Sequence, residues 1–169
     1  MRKRGVVVVG LVLAAAAFQQ SGRIANAQQP KSQAELRKQL VGTWSLVSIE
    51  GGATPTNRGQ KPTGLIYYDN LGNMAAQIMP DRPRPKWTGT PTQEQMAEAF
   101  RGYTAYFGTY TIDEKASTVT HHRKGMLDGG AVDFVRHFKF LPGDRIVLTP
   151  VPAPGSTNPP THLTWERMK

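Results

Sequence analysis

The sequence predicts an all-β fold, an eight-stranded antiparallel barrel with one or two short helices. Three observations carry that expectation. Eight short runs rich in β-branched and aromatic residues are punctuated by Gly, Pro, Asn and Asp turns. Almost no helix separates successive strands, so the crossovers that a parallel sheet requires are missing. A chain of 169 residues has room for one domain and shows no internal repeat. A sandwich fits the same pattern, but eight antiparallel strands remove both edges by closing on themselves, which favours the barrel.

The N-terminal segment is expected to stand apart from that fold. Arg2, Lys3 and Arg4 form a cationic head, and an uncharged run of 13 residues follows from Val6 to Phe18. Spanning a bilayer takes roughly 20 apolar residues, so the run is too short for a transmembrane helix. Ala25-Asn26-Ala27 is a small-x-small cut site. Together these read as a secretory signal peptide over residues 1–27, with an uncleaved anchor as the alternative. The mature domain is then 28–169, secreted or periplasmic, with no stable membrane anchor after cleavage. Cleavage removes four basic residues and no acid, leaving 17 basic and 12 acidic side chains and a net charge of +5.

Along the mature chain each element has a local cause. Ser32-Gln33-Ala34-Glu35 fits a capping box, which predicts a helix through Leu40 that ends before Gly42. Thr43–Glu50 alternates, with Trp44, Leu46 and Ser48 on one face and Ser45, Val47 and Ile49 on the other. After a Gly/Pro/Thr/Asn loop, Thr63–Asp69 and Asn73–Met79 flank Asn70-Leu71-Gly72, whose glycine supplies a hairpin's positive φ. Thr90-Pro91-Thr92-Gln93 offers a second capping box with Pro at the first helical position. Gly102 is a natural stop for that helix, and Met96, Ala99 and Phe100 form its apolar stripe. Tyr103–Asp113 and Ser117–Lys124 read as a hairpin, as do Ala131–Leu141 and Arg145–Thr149, and Thr161–Arg167 closes the chain.

Composition excludes several chemistries. With no cysteine there is no disulfide framework, thiolate zinc site or thiol nucleophile. No nucleic acid is expected as a partner, because the basic residues are scattered and the one cluster, Arg82, Arg84 and Lys86, sits among prolines. His121 and His122 are adjacent and point to opposite faces of a strand, and no H-E-x-x-H motif or acidic cluster appears, so no metal is expected. No cofactor motif and no G-x-S-x-G elbow is present, so neither a cofactor nor a serine nucleophile is expected.

Four segments, in order, carry a family resemblance. Gly42-Thr43-Trp44 resembles the Gly-x-Trp signature of lipocalins and related calycins, and Leu40–Leu46 as a whole is similar to the bacterial and fungal lipocalin-like domain of unassigned function. Tyr106-Phe107-Gly108-Thr109-Tyr110, Val119-Thr120-His121-His122 and Leu163-Thr164-Trp165-Glu166-Arg167 resemble the same family. The resemblance implies a calycin barrel with an internal cavity and an arginine, here Arg167, packed across Trp44 to close the floor. It implies no established activity, and it departs from secreted lipocalins in lacking cysteine and in carrying an extra helix near 91–101. Whether the 80–101 segment caps the mouth, with Trp87 as a lid or packed under the helix, stays open at this point.

Strand parity nominates the site. Phe134, Arg136, Phe138 and Phe140 share a face, and the three phenyl rings should turn it inward with Arg136. A guanidinium inside a barrel needs an acid, several acceptors or an anionic ligand. Tyr106, Gly108, Tyr110 and Ile112 share a face on one neighbouring strand, and Val119, His121 and Arg123 share one on another. Gly108 marks either a bulge or a place where the cavity gains room. The candidate ligand-binding residues are therefore Tyr106, Tyr110, His121, Arg136 and Phe138. The leading expectation is an exported barrel that binds a small hydrophobic or amphiphilic molecule, with Arg136 holding an anionic head. The alternatives are an isomerase, cyclase or hydrolase with His121 as the candidate catalytic acid–base, and a module filled by its own side chains.

Overall fold

Ser32 opens the described chain by capping its first helix. Its hydroxyl accepts from the Glu35 amide while the Glu35 carboxylate accepts from the Ser32 amide at 2.8 Å, so α1 (Gln33–Leu40) starts on a closed capping box. This computed structural model describes residues 32–52 and 58–169. The signal-peptide reading of 1–27 lies outside them.

Among the described residues the alternating runs form eight strands: β1 (Gly42–Gly51), β2 (Thr63–Tyr68), β3 (Asn73–Met79), β4 (Thr104–Asp113), β5 (Thr118–Met126), β6 (Asp133–Leu141), β7 (Arg145–Pro150) and β8 (Thr161–Arg167). A second helix, α2 (Gln93–Phe100), lies between β3 and β4. Each strand runs antiparallel to the next, and β8 returns to pair with β1, so the sheet closes as a barrel with no free edge.

Two bulges decide which side chains face inward. In β1 the register against β8 shifts between Leu46 and Ser48. The extra residue reverses the alternation, so Leu46 and Ile49 both pack on the core. Val47 is 46% exposed and the Ser48 hydroxyl donates to Glu50 on the outside. The simple alternation that placed Ile49 opposite Leu46 is corrected by that bulge. Between β4 and β5 the register shifts beside Phe107 and Gly108, with Lys124 as the extra residue of β5. A Cβ on Gly108 would collide with the His122 carbonyl oxygen, so glycine is required there by close approach of β5.

One end of the barrel is sealed. Leu36 and Leu40 of α1 enter the core, the Trp44 indole donates to the Leu40 carbonyl at 2.9 Å, and the Gln33 amide donates to Ile112 at the far end of β4. The Arg167 guanidinium lies over the Trp44 ring at 4.1 Å and donates to the carbonyls of Val41 and Gln39. Cation–π attraction and backbone satisfaction thus act together on the floor.

The other helix is held differently from expectation. Its N-cap is Thr92, paired with Gln95, two residues beyond the box read from the sequence. Pro91 therefore precedes the helix instead of starting it. Only Ala99 of the anticipated stripe is buried, while Met96 and Phe100 are exposed. Polar ties replace apolar packing: Arg82 pairs with Glu98 and donates to the carbonyls of Glu98 and Arg101, and Arg84 donates to that of Ala99. Gly102 follows the cap with φ of 74°, as a helix stop requires. Met79 faces outward beside Arg84.

Candidate functional site

The unsealed end of the barrel holds a cavity of about 260 Å³. Its wall comes from the starts of β4 (Thr104, Tyr106), β6 (Phe134, Arg136) and β8 (Thr161, Leu163), completed by Ile66, Ala76, Ile78, Leu148 and Trp165. That places it opposite α1, which meets the ends of β4 and β8. The volume far exceeds the roughly 30 Å³ of one water and falls just short of the roughly 300 Å³ at which drug-sized pockets begin. It is therefore not filled by its own side chains, and a ligand here must be small.

Three guanidiniums face this space, Arg58, Arg123 and Arg136, with one carboxylate, Asp128. Arg123 is accounted for. Its side chain pairs with Asp128 at 2.9 Å, donates to the Ala131 carbonyl and stacks 4.2 Å over the Phe134 ring. Arg58 donates to the Gly102 carbonyl at 3.2 Å and to the Thr104 hydroxyl at 2.6 Å. Arg136 donates to the Tyr106 hydroxyl at 3.2 Å and lies 4.7 Å over the Phe134 ring. Among the described residues no acid pairs with Arg58 or Arg136. Burial lowers the Arg58 pKa, and repulsion from Arg136 lowers it further. A surplus of positive charge is thus built into an apolar chamber.

Beneath Tyr106 lies a buried polar chain. The Tyr106 hydroxyl is 2.9 Å from Nδ1 of His121, and the Tyr68 hydroxyl is 2.7 Å from its Nε2. His121 and Tyr68 are both fully buried. Burial, with Arg136 next in weight, holds the His121 pKa well below the ordinary imidazole value, so the ring is neutral. Burial likewise drives the Tyr68 phenol upward. Trp165, another wall residue, has a buried indole N–H with no partner among the described residues.

Of the five residues nominated from sequence, Tyr106 and Arg136 line the cavity. His121 stands behind Tyr106 with both ring nitrogens engaged, so it meets the cavity only through that phenol. Tyr110 and Phe138 do not line the cavity. Parity gives them the correct face but not the correct depth. Tyr110 lies four residues along β4 from Tyr106, roughly 13 Å towards the floor. Its hydroxyl donates to the Asp69 carbonyl and its ring packs edge-on against Tyr68 at 5.0 Å. Phe138 is also further along its strand and pairs with Phe140 at 5.6 Å.

Tyr68, Arg58, Arg123 and the free indole of Trp165 escaped nomination. Arg123 carried a usable signal, since it shares the face of His121. His122 bonds Thr111 and Asp133 on the outer surface, away from His121. Residues 80–101 do not line the cavity; the segment stands beside the mouth, joined through the bond from Arg58 to Gly102. Trp87 is exposed there and is not a lid over the cavity.

A closed eight-stranded antiparallel barrel, sealed at one end by Trp44 and Arg167 and hollow at the other, now has a family to compare with. The lipocalin-like domain model matches residues 41–168. The chain belongs to the lipocalin-like domain family. No curated protein matches it. The matched span takes in all eight strands and α2 and leaves out α1. Lipocalin-like barrels in general suit small-molecule binding, and this one has the hollow interior that such binding needs.

Proposed function

We propose that this lipocalin-like protein is exported and binds a small, partly apolar, anionic molecule in the open end of its barrel. One observation carries the reading: Arg58 and Arg136 face the same apolar cavity without an acid partner among the described residues. A guanidinium removed from water gains most from a counter-charge, and a carboxylate or similar head supplies one to both. Ile66, Ile78, Leu148 and Leu163 offer an apolar wall for the remainder of the ligand. Export rests on the cationic head, short apolar core and Ala-Asn-Ala cut site at residues 2–27. N-terminal sequencing of the protein recovered outside the cytoplasm should begin near Gln28, and an intact Met1 there would overturn that part.

Titration calorimetry with octanoate and octan-1-ol tests the binding claim. The acid should bind more tightly than the alcohol, and Arg136→Leu should weaken octanoate by about tenfold or more, the worth of a charge-assisted hydrogen bond. The alcohol should be little affected. Equal preference before and after the change would remove the anionic part of the proposal. Catalysis by His121 receives less support from the same geometry, because the ring is neutral, sealed from the cavity and already bonded at both nitrogens.

A further inference from the structure

Tyr106 has two neighbours competing for its oxygen, and the buried pair beneath it decides how they share it. Neutral His121 has one N–H and one bare nitrogen. The Tyr68 hydroxyl is fully buried, and among the described residues its hydrogen-bond partner is Nε2 of His121. Were Nε2 the protonated nitrogen, it would donate to the Tyr68 oxygen and leave the Tyr68 hydrogen buried with no acceptor. Orphaned buried donors are rare. Tyr68 therefore donates to Nε2, the imidazole proton sits on Nδ1, and Nδ1–H donates to the Tyr106 oxygen. That oxygen also accepts from Nη2 of Arg136. Both its lone pairs are then used, and its own hydrogen is left for the cavity that Tyr106 lines.

We propose that the Tyr68–His121 pair locks Tyr106 as a hydrogen-bond donor towards the cavity, so that Tyr106 and Arg136 select a head group that only accepts. The matching class is a carboxylate or comparable oxyanion. An alcohol or ammonium head brings hydrogens that neither Tyr106 nor Arg136 accepts, the lining carboxylate of Asp128 being paired with Arg123. A buried donor facing donors is rejected more strongly than one that is merely weakly held. Tyr106 is the contact residue; Tyr68 and His121 are positioning residues, since neither lines the cavity. The ligand class rests on the function proposed above, whereas the direction of the chain rests on the hydrogen bonds alone.

Two measurements separate these. In the unliganded wild-type protein, long-range 1H–15N correlation of the imidazole nitrogens, assigned against His121→Gln, reads the tautomer directly. Protonated Nδ1 with bare Nε2 is expected, and protonated Nε2 would overturn the inference whatever the protein binds. Calorimetry with octanoate and octan-1-ol on Tyr106→Phe and Tyr68→Phe is the second. Tyr106→Phe should cost octanoate about tenfold, as loss of a hydrogen bond to a charged group does. Tyr68→Phe removes the lock without touching the cavity, so it should narrow the preference for octanoate over octan-1-ol several-fold. A merely structural role for Tyr68 would weaken both probes together, and that result would overturn the positioning claim. Protonated Nδ1 with no probe bound would sink the ligand reading but keep the chain direction. Octanoate bound beside an Nε2 proton would do the reverse.

Discussion

His121 makes a neutral ring part of the folded state, and that choice has a pH signature. Its folded pKa lies well below 6.5 because it is buried beside Arg136. The unfolded chain takes up a proton below 6.5 that the folded chain refuses, so the unfolded state binds more protons there. Stability is fully present above that pH and is lost as pH falls towards the folded value, at up to about 1.4 kcal/mol per unit for one proton. Tyr68 acts in the opposite range: with its pKa raised above 10.0, stability is present below that pH and lost above it. Urea midpoints from pH 5 to 8 should fall on the acid side, and less steeply in His121→Gln; identical slopes would assign the effect to other groups. Gly108→Ala should cost about 1–3 kcal/mol, as overpacking does, because its Cβ meets the His122 carbonyl. Arg136 was legible in the sequence because three phenylalanines on its face left no doubt about which side turned in. Tyr68 was not, since Leu65 and Tyr67 make the other face of β2 equally apolar. Arg58 gave no signal at all, being one cation in a glycine- and proline-rich loop.

At the scale of elements, turn chemistry and the period of two made the eight strands legible nearly to their ends. The places that misled are those where a local rule has two solutions. Thr90 and Thr92 both start acceptable capping boxes, and the chain uses the second. The β1 bulge has no glycine to mark it, whereas the β5 bulge lies beside Gly125 and opposite Gly108. An apolar stripe on α2 was the natural reading of Met96, Ala99 and Phe100, but the helix is moored at its C-terminal end by arginines from the preceding loop. Those guanidiniums satisfy carbonyls that a helix end leaves open and complement its dipole. Arg82→Ala should therefore raise amide hydrogen exchange across 93–100 while leaving the barrel strands protected. Exchange unchanged at α2 would show that Arg84 and the capping box hold it alone.

The whole molecule divides its charges between two ends with separate tasks. At the floor, Arg167 has carbonyl acceptors and the Trp44 ring, and its guanidinium is a structural clasp between β8 and α1. At the mouth, Arg58 and Arg136 have no acid partner among the described residues, which costs the empty barrel stability that an anion would return. The family resemblance in the sequence already gave Arg167 its place across Trp44, whereas strand parity alone turned Arg136 inward and left open whether an acid, other acceptors or a ligand met it. Arg167→Ala should cost about 3 kcal/mol from lost charge-assisted bonds and ring contact, and Tm should fall by about 6–12 °C in a domain of this size. Octanoate affinity should stay within a factor of two, because no floor residue lines the cavity. Arg136→Leu should do the opposite, sparing or raising the stability of the empty protein while weakening the acid. If the ends are independent, the double variant loses the sum of the two stability changes within about 0.5 kcal/mol. A larger departure in chemical denaturation would mean that strain passes along the strands, and that closing the floor also shapes the mouth.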